Sequence, residues 1–351
     1  MSKTQKIEIK CPTPVWEFDS ITIGHGGGGR LTQELLRKGV FSLLDNDWLR
    51  EQGDAATIKL EGNIAFSTDS FVVSPVIFPG GNIGDLAVNG TVNDLAVSGA
   101  KPMYLSLSFI LEEGLEMKLF SRILNSIREA CESAGVKVIT GDTKVVEKGK
   151  GDQIFINTTG LGVMHPKARL GMKRVKNGDA IVISGPLARH GVTIMSKRNG
   201  LEFETSLESD TRPLHQLCLN LINTFGSEIH LMRDPTRGGV ATVLNEIAEQ
   251  TGLGIQLIEK KLPIEDEVAG ACEMLGLDPL YVANEGLFVA IVDRAKSKDC
   301  LDLIHKLEPG SMATQIGEIT MEHPGKVVLK STIGGRRVLA KATGELLPRI
   351  C

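Results

Sequence analysis

The feature that most constrains this chain is a hydrophobic period that alternates between strand and helix, breaks off, and then starts again. "YLSLSFIL" (104–111) puts Leu105, Leu107, Phe109 and Leu111 on one face of a strand. The next segment, "EMKLFSRILNSIREACESAG", carries Leu119, Phe120, Ile123, Leu124, Ile127, Ala130 and Cys131 at helical spacing, with Gly135 placed to stop the helix. "KVIT" and "QIFINTTGLGVM" return to the strand pattern. Near residues 166–180 the chain turns polar and basic, "PKARLGMKRVKNGD", which marks a domain boundary. Beyond it the alternation restarts with strand "AIVISG", helices near 187–198 and 213–225, strand "HLM" and a helix over 239–251. Strands near 254–259 and 286–293, a helix near 296–307 and strand "TQIGEI" follow. Two α+β halves of similar size are the expected architecture. From His323 onward two short strand patterns, "KVVLK" and "RRVLA", lead to the ending "LLPRIC".

Composition narrows the function classes. A length of 351 residues suits about two domains. Lys and Arg number 39 against 43 Asp and Glu, a net charge of −4 with no basic run, which argues against nucleic acid as a partner. No apolar run reaches about 18 residues, so no membrane span is expected. The opening "MSKTQKIEIKCPTP" lacks an apolar signal core, and a cytoplasmic location is expected. Six cysteines form no CxxC pair, which weakens zinc and redox-pair readings. Cys131, Cys218, Cys272 and Cys300 sit inside helical patterns as small core hydrophobes.

Several stretches carry chemistry. "HGGGGR" (25–30) precedes a helix-like run, so converging backbone N–H groups and a helix start offer an anion site. A mobile loop fits those glycines equally well, and His25 by itself reads as a surface histidine. "IAFSTDSF" ends a strand near Asp69, and "VITGDTKVV" does the same for Asp142. "GDLAVNGTVNDLAVSGAKP" puts Asp85, Asn89 and Asn93 on one helix face, with Asp94 beside it. Carboxylates on strand ends next to a glycine-rich loop are what Mg²⁺–phosphate binding requires, because Mg²⁺ takes hard oxygen ligands and keeps phosphate in its shell. Any single Asp here is more often a cap or turn residue; it is the set that favours the ion. Lys144 adds a cation two residues after Asp142. "RDPTRGG" (233–239) offers a second anion-binding helix start with Asp234, Arg233 and Arg237, or else an ordinary capped loop. Glu285 stands immediately before an apolar strand, where burial would make it a base of raised pKa and exposure a turn residue. The terminal residue, Cys351, is either a frayed end or a reactive thiol.

The ordered set "STDSF", "GTVNDLAVSGAKPMYLSLSFILEEG", "VITGDTKVV" and "RDPTRGG" resembles the ATP-dependent aminoimidazole ribonucleotide synthetase superfamily, which includes selenophosphate synthetase and thiamine-monophosphate kinase. With "HGGGGR" near the start and "PRIC" at the end, it resembles the hydrogenase-maturation carbamoyl dehydratases, the HypE family. The resemblance implies a two-domain α+β fold of the aminoimidazole ribonucleotide synthetase kind. Its parts are an extension (1–22), an ATP-binding domain that dimerises through its sheet (23–170), a second α+β domain (171–322) and a mobile tail (323–351). Gly325, Gly334, Gly335 and Gly344 suit a moving segment, with Pro348 as stiffener and Arg349 as a charge partner. The resemblance further implies Asp69, Asp94 and Asp142 as Mg²⁺–ATP ligands. Asn93, Thr143, Asp234, Gly27 and Gly28 complete the ATP site, while Asp85 has a less definite part in it. Lys144 and Glu285 are implied beside the Cys351 thiol. It implies a carbamoyltransferase that loads Cys351, conversion of the S-carbamoyl group to S-cyanate with ATP, and an iron-carrying scaffold complex that accepts cyanide during nickel–iron hydrogenase assembly. A small-molecule synthetase such as selenophosphate synthetase is the alternative, for which Cys11 in "KCPTP" lacks an activating setting. A non-catalytic ATP-binding scaffold that delivers its tail to partners is another.

Overall fold

The two stretches of alternating period become two sheets. A computed structural model of the chain describes residues 16–200, 207–341 and 349–351, so Cys11, Gly344 and Pro348 lie outside the described residues. In the first half, α1 (Arg30–Leu35) continues in wider turns to Phe41. Strands β1 (Ile64–Phe71), β2 (Ala100–Glu112), β3 (Lys137–Val146) and β4 (Ile154–Met164) pair in the order β1-β4-β2-β3. Only β2 and β3 run parallel, and α3 (Met117–Ala134) makes the crossover between them. Leu105, Leu107, Phe109 and Leu111 are buried in one cluster with Phe120, Ile123, Leu124 and Ile127, which is the pairing of faces the two periods predict. α2 (Ile83–Val97) lies over the same face and is buried nearly all round. Its far side meets the second domain, where Ala96 and Val97 share a cluster with Leu217, Leu221 and Ile222. The other face of this sheet carries exposed apolar side chains, Ile64, Phe66 (69% exposed) and Ile110.

The second sheet is built from β5 (Ala180–Ile183), β6 (Ile229–Arg233), β7 (Gly254–Ile258), β8 (Val289–Val292), β9 (Thr314–Thr320), β10 (Val327–Lys330) and β11 (Arg336–Leu339), in the order β11-β10-β7-β9-β5-β8-β6. All four residues of β5 are buried because both faces are covered. Ile181 and Ile183 join Val240 and Leu244 of α6 (Gly239–Thr251), while Val182 joins Leu217 and Leu221 of α5 (His215–Phe225). α4 (Arg189–Arg198) lies next to the first domain: its Ile194 is part of that domain's core. Cys131, Cys218, Cys272 and Cys300 are buried free thiols, as their helical spacing predicts.

Two expectations change. β10 pairs parallel with β7 and β11 pairs with β10, so the segment expected as a tail from His323 carries sheet structure through Leu339. His25 is buried rather than on the surface; its Nδ1 accepts from the Thr22 N–H at 3.0 Å and its ring stands edge-on to Phe18.

Candidate active site

The "RDPTRGG" loop enters α6 through two left-handed residues, Gly238 (φ +70°) and Gly239 (φ +61°). A Cβ at Gly239 would lie 2.6 Å from the carbonyl oxygens of Leu280 and Val282, so glycine alone permits this approach. The approach ties the loop to the segment carrying Glu285: Asn284 donates to the Pro235 carbonyl from its backbone N–H at 3.2 Å and from Nδ2 at 2.9 Å. Asp234 and Arg237 are thereby brought to Glu285.

Glu285 is itself fixed through its backbone. The Asp210 carboxylate accepts from the N–H groups of Glu285 (3.2 Å) and Gly286 (3.0 Å), and Asn93 Nδ2 donates to the Glu285 carbonyl at 2.9 Å. Asn93 also donates to the Arg212 carbonyl and accepts from the Leu214 N–H at 2.7 Å, so it pins α2 to the second domain. The Glu285 side chain is 4% exposed, and its Oε1 has no hydrogen-bond partner among the described residues. Burial, followed by the carboxylates of Asp210, Asp234, Asp69 and Asp94, holds its pKa well above the ordinary range.

Asp69 and Asp94 complete this acidic group. Both lie on the helix-covered side of the first sheet: the Ser67 hydroxyl donates to Asp94 at 2.6 Å, and Asp69 pairs with Arg237 at 3.4 Å. Burial raises the pKa of Asp94, with Asp69 adding to the effect. Burial and then Asp94 raise Asp234 to about 7.

The end of the chain is docked here. Arg349–Cys351 runs antiparallel beside residues 72–74, with Val72 N–H donating to the Cys351 carbonyl (3.1 Å) and Ser74 N–H to the Arg349 carbonyl (3.2 Å). Arg349 Nε donates to the Val72 carbonyl at 3.0 Å, and its guanidinium pairs with Asp152. Ile350 (4% exposed) shares a buried cluster with Ile194 and Ala283 of the second domain. The Cys351 thiol, 9% exposed, is pushed up to about 11 by burial and then by Glu285, while a hydrogen bond from Arg237 opposes the rise. A buried thiol of this kind is a weak nucleophile.

The remaining expected residues assemble elsewhere. Asp142 and Lys144 pair at 2.6 Å and, by register with Ser108 and Ile110, face the other side of the sheet from Asp69. The Lys144 hydrogen bond lowers the pKa of Asp142. With Thr143, Gly26, Gly28 and Thr32 they line a cavity of about 230 Å³ at the β3 edge, which opens beside a cleft of about 660 Å³ lined by Arg30, Arg37 and Trp48. Gly26 is drawn against β3 so closely that a Cβ would lie 2.8 Å from Val145, and the neighbouring Gly27 is part of the same loop. Lys144 is therefore not beside Cys351 within the chain; Arg237 holds that place. Asp85 caps its own helix, accepting the Asn82 N–H at 2.7 Å, and burial raises it to about 6.

Residues 52–164 match the family described as AIR synthase related protein, N-terminal domain, and residues 176–330 match its C-terminal domain. The chain is 47% identical to a carbamoyl dehydratase HypE of Rhizobium leguminosarum bv. viciae over 94% of its length and 95% of the relative's. It superposes with a TM-score of 0.90, at 43% identity, on a crystal structure of hydrogenase maturation protein HypE in complex with ATP, covering 94% of this chain and 99% of that one. The chain belongs to the HypE family of carbamoyl dehydratases. Another solved family member, in a HypE–HypF complex, is 44% identical with a TM-score of 0.77 and covers 90% of this chain and 100% of that one.

Against this HypE frame, sequence reading missed four residues around the docked tail: His190, Arg198, Asp152 and Asp210. Their tail and loop contacts span large sequence separations, and nothing in their local pattern marks them. No helix among the described residues is long and apolar enough to cross a membrane.

Proposed function

We propose that this chain dehydrates an S-carbamoyl group held on Cys351 to an S-cyanate at the expense of ATP. The observation that carries the reading is the docked Cys351 thiol beside Glu285, a buried carboxylate with an unpartnered oxygen.

The chemistry follows from the leaving group. An S–C(=O)–NH₂ group does not expel hydroxide, so its oxygen first takes the γ-phosphoryl group and ADP departs. Phosphate then leaves with the C–O electron pair as the N–H protons are removed and the C≡N bond forms. Glu285 lies near enough to the Cys351 thiol to raise its pKa, and its own raised pKa suits it to take those protons from a carbamoyl group carried there. Arg237, already on the thiol and on Asp69, supplies positive charge at the same point. Docking makes the step intramolecular, which is worth part of the ~7–11 kcal/mol available from positioning.

The donor set fits Mg²⁺–ATP. Asp69, Asp94 and Asp234 offer hard oxygens whose crowding a cation would relieve. No three His, Cys, Asp or Glu side chains among the described residues form a closed metal cage, and Mg²⁺ held through phosphate and water needs only one or two protein carboxylates. When bound, Mg²⁺ neutralises the charge that develops on the transferred phosphoryl group.

Asp142, Thr143, Lys144 and the Gly27–Gly28 loop join this site in our reading from a second copy of the chain. What supports it is the uncovered apolar sheet face with Phe66 and Ile110, which carries Asp142 and Lys144. A homodimer through that face makes the two half-sites complementary. Loading of Cys351 by a carbamoyltransferase and delivery of cyanide to an iron-carrying scaffold both require the tail to undock, and the HypE–HypF complex is a family precedent for a partner.

Mass measurement of the Cys351 peptide tests the reading. After carbamoyl loading, addition of MgATP is expected to remove one water from that peptide. ATP binding without water loss would sink the enzyme reading and leave the scaffold one; activity on a small molecule that survives Cys351→Ala would favour the synthetase alternative.

A further inference from the structure

The docked tail is gripped through its main chain as well as at its thiol. His190 is fully buried, and both of its ring nitrogens are engaged. Nε2 lies 2.9 Å from the Ile350 carbonyl oxygen and Nδ1 lies 2.7 Å from the Ser209 hydroxyl. A carbonyl only accepts, so the proton sits on Nε2 and Nδ1 accepts from Ser209. The ring stands edge-on to Phe78, with centroids 5.6 Å apart, which fixes its plane. Eight residues further along the same helix, Arg198 donates to the Arg349 carbonyl from Nη2 and to the Ser74 carbonyl from Nε. Two adjacent tail carbonyls and the segment they lie against are thus held from one helix of the second domain.

We propose that His190 and Arg198 form a carbonyl clamp of positioning residues that fixes the register of the tail and so sets the Cys351 sulfur beside Arg237 and Glu285. Register matters because a slip of one residue along an extended segment moves the sulfur by about 3.3 Å and turns it to the opposite face. The clamp is specific to the docked state. When the tail leaves, the Nε2–H loses its acceptor, so each departure breaks a hydrogen bond that exists only in the docked state. Burial lowers the pKa of the ring, against the opposing Asp210 carboxylate and the Ile350 carbonyl, a direction that agrees with the donor and acceptor roles its neighbours demand.

The catalytic meaning of the clamp rests on Cys351 being the substrate carrier, but its test does not. In the full-length protein, alkylation of Cys351 by iodoacetamide is followed by mass, with buried Cys131, Cys218, Cys272 and Cys300 as internal reporters of unfolding. Loss of one hydrogen bond of this kind is expected to speed Cys351 labelling by about tenfold in His190→Phe, which keeps a ring against Phe78 but has no donor. His190→Gln restores a donor and is expected to return labelling toward the native rate. Arg198→Met is expected to speed labelling as His190→Phe does. Native-rate labelling in His190→Phe with the four core thiols protected overturns the proposal, and so does equal labelling of the Gln and Phe variants. Where His190→Phe also exposes the core thiols, Arg198→Met decides: native-rate labelling there overturns the clamp. Since labelling needs neither ATP nor a carbamoyl group, its failure leaves the dehydratase reading standing, and failure of ATP-driven water loss leaves the clamp standing.

Discussion

Replacing Ile350 by alanine separates the two states of the tail. The side chain is 4% exposed and lies in a cluster shared with Ile194 and Ala283, so docking buries nearly all of it. The substitution removes three carbons at ~0.8 kcal/mol each, about 2.4 kcal/mol of docking free energy, or about 60-fold in the docking equilibrium. The structure supplies its own reporters, because the Val72 and Ser74 amides donate to the tail carbonyls of Cys351 and Arg349. Hydrogen exchange is expected to accelerate by about the same factor at those two amides, while amides inside β1 keep native protection. Kinetically, ATP-driven loss of water from carbamoylated Cys351 is expected to slow, whereas carbamoyl loading, which uses the undocked tail, is not. Unchanged exchange at Val72 and Ser74 would refute the docking argument. Equal slowing of loading and dehydration would refute the division of labour between the two tail states.

Glu285→Gln keeps the shape of the site and removes the proposed base; dehydration is expected to fall by roughly 10²–10⁴-fold while carbamoyl-Cys351 still forms, as mass measurement would show. The pH dependence follows from Asp234, whose pKa in the fold is raised to about 7 from an ordinary 3.8. A raised carboxylate favours the fold while protonated, so melting temperature without nucleotide is expected to decline as pH rises from about 4 to about 7 and to level off above it. A cation needs the ionised form, so affinity for Mg²⁺–nucleotide is expected to climb over the same window, by at most about tenfold per pH unit. Titration calorimetry on Asp234→Asn is expected to find that slope flattened. Mixing Glu285→Gln with Lys144→Ala chains is expected to restore about a quarter of native turnover, because half the random dimers carry one intact site. No recovery would mean that Lys144 acts within its own chain or not at all.

The two domains were legible because each half repeats its own alternation, and the periods of β2 and α3 name the residues that meet. Asp69, Asp94, Asp234 and Glu285 were legible as chemistry, since carboxylates beside apolar strands stand out. What could not be read was which side of the sheet each would face. Asp142 and Asp69 look alike in sequence, and only strand register separates them onto opposite faces. Partners distant along the chain were equally hidden. "KVVLK" reads as a strand, but its pairing with β7 does not, so the sequence places it in the tail. His190 carries no local mark because its meaning lies in a carbonyl 160 residues away.

The absorption of β10 and β11 into the second sheet sets the length of a leash. Leu339, the last strand residue among the described residues, lies twelve positions before Cys351. Fully extended, they reach no further than about 43 Å. Any partner that loads or unloads the thiol must therefore bring its own reactive centre inside that radius, close against the face on which Leu339 sits. A tether this short holds its cargo near the home site at a local concentration in the millimolar range, so return is quick and needs no search. Under the proposed function the tail would be a short-range shuttle, with its range fixed by where the sheet stops.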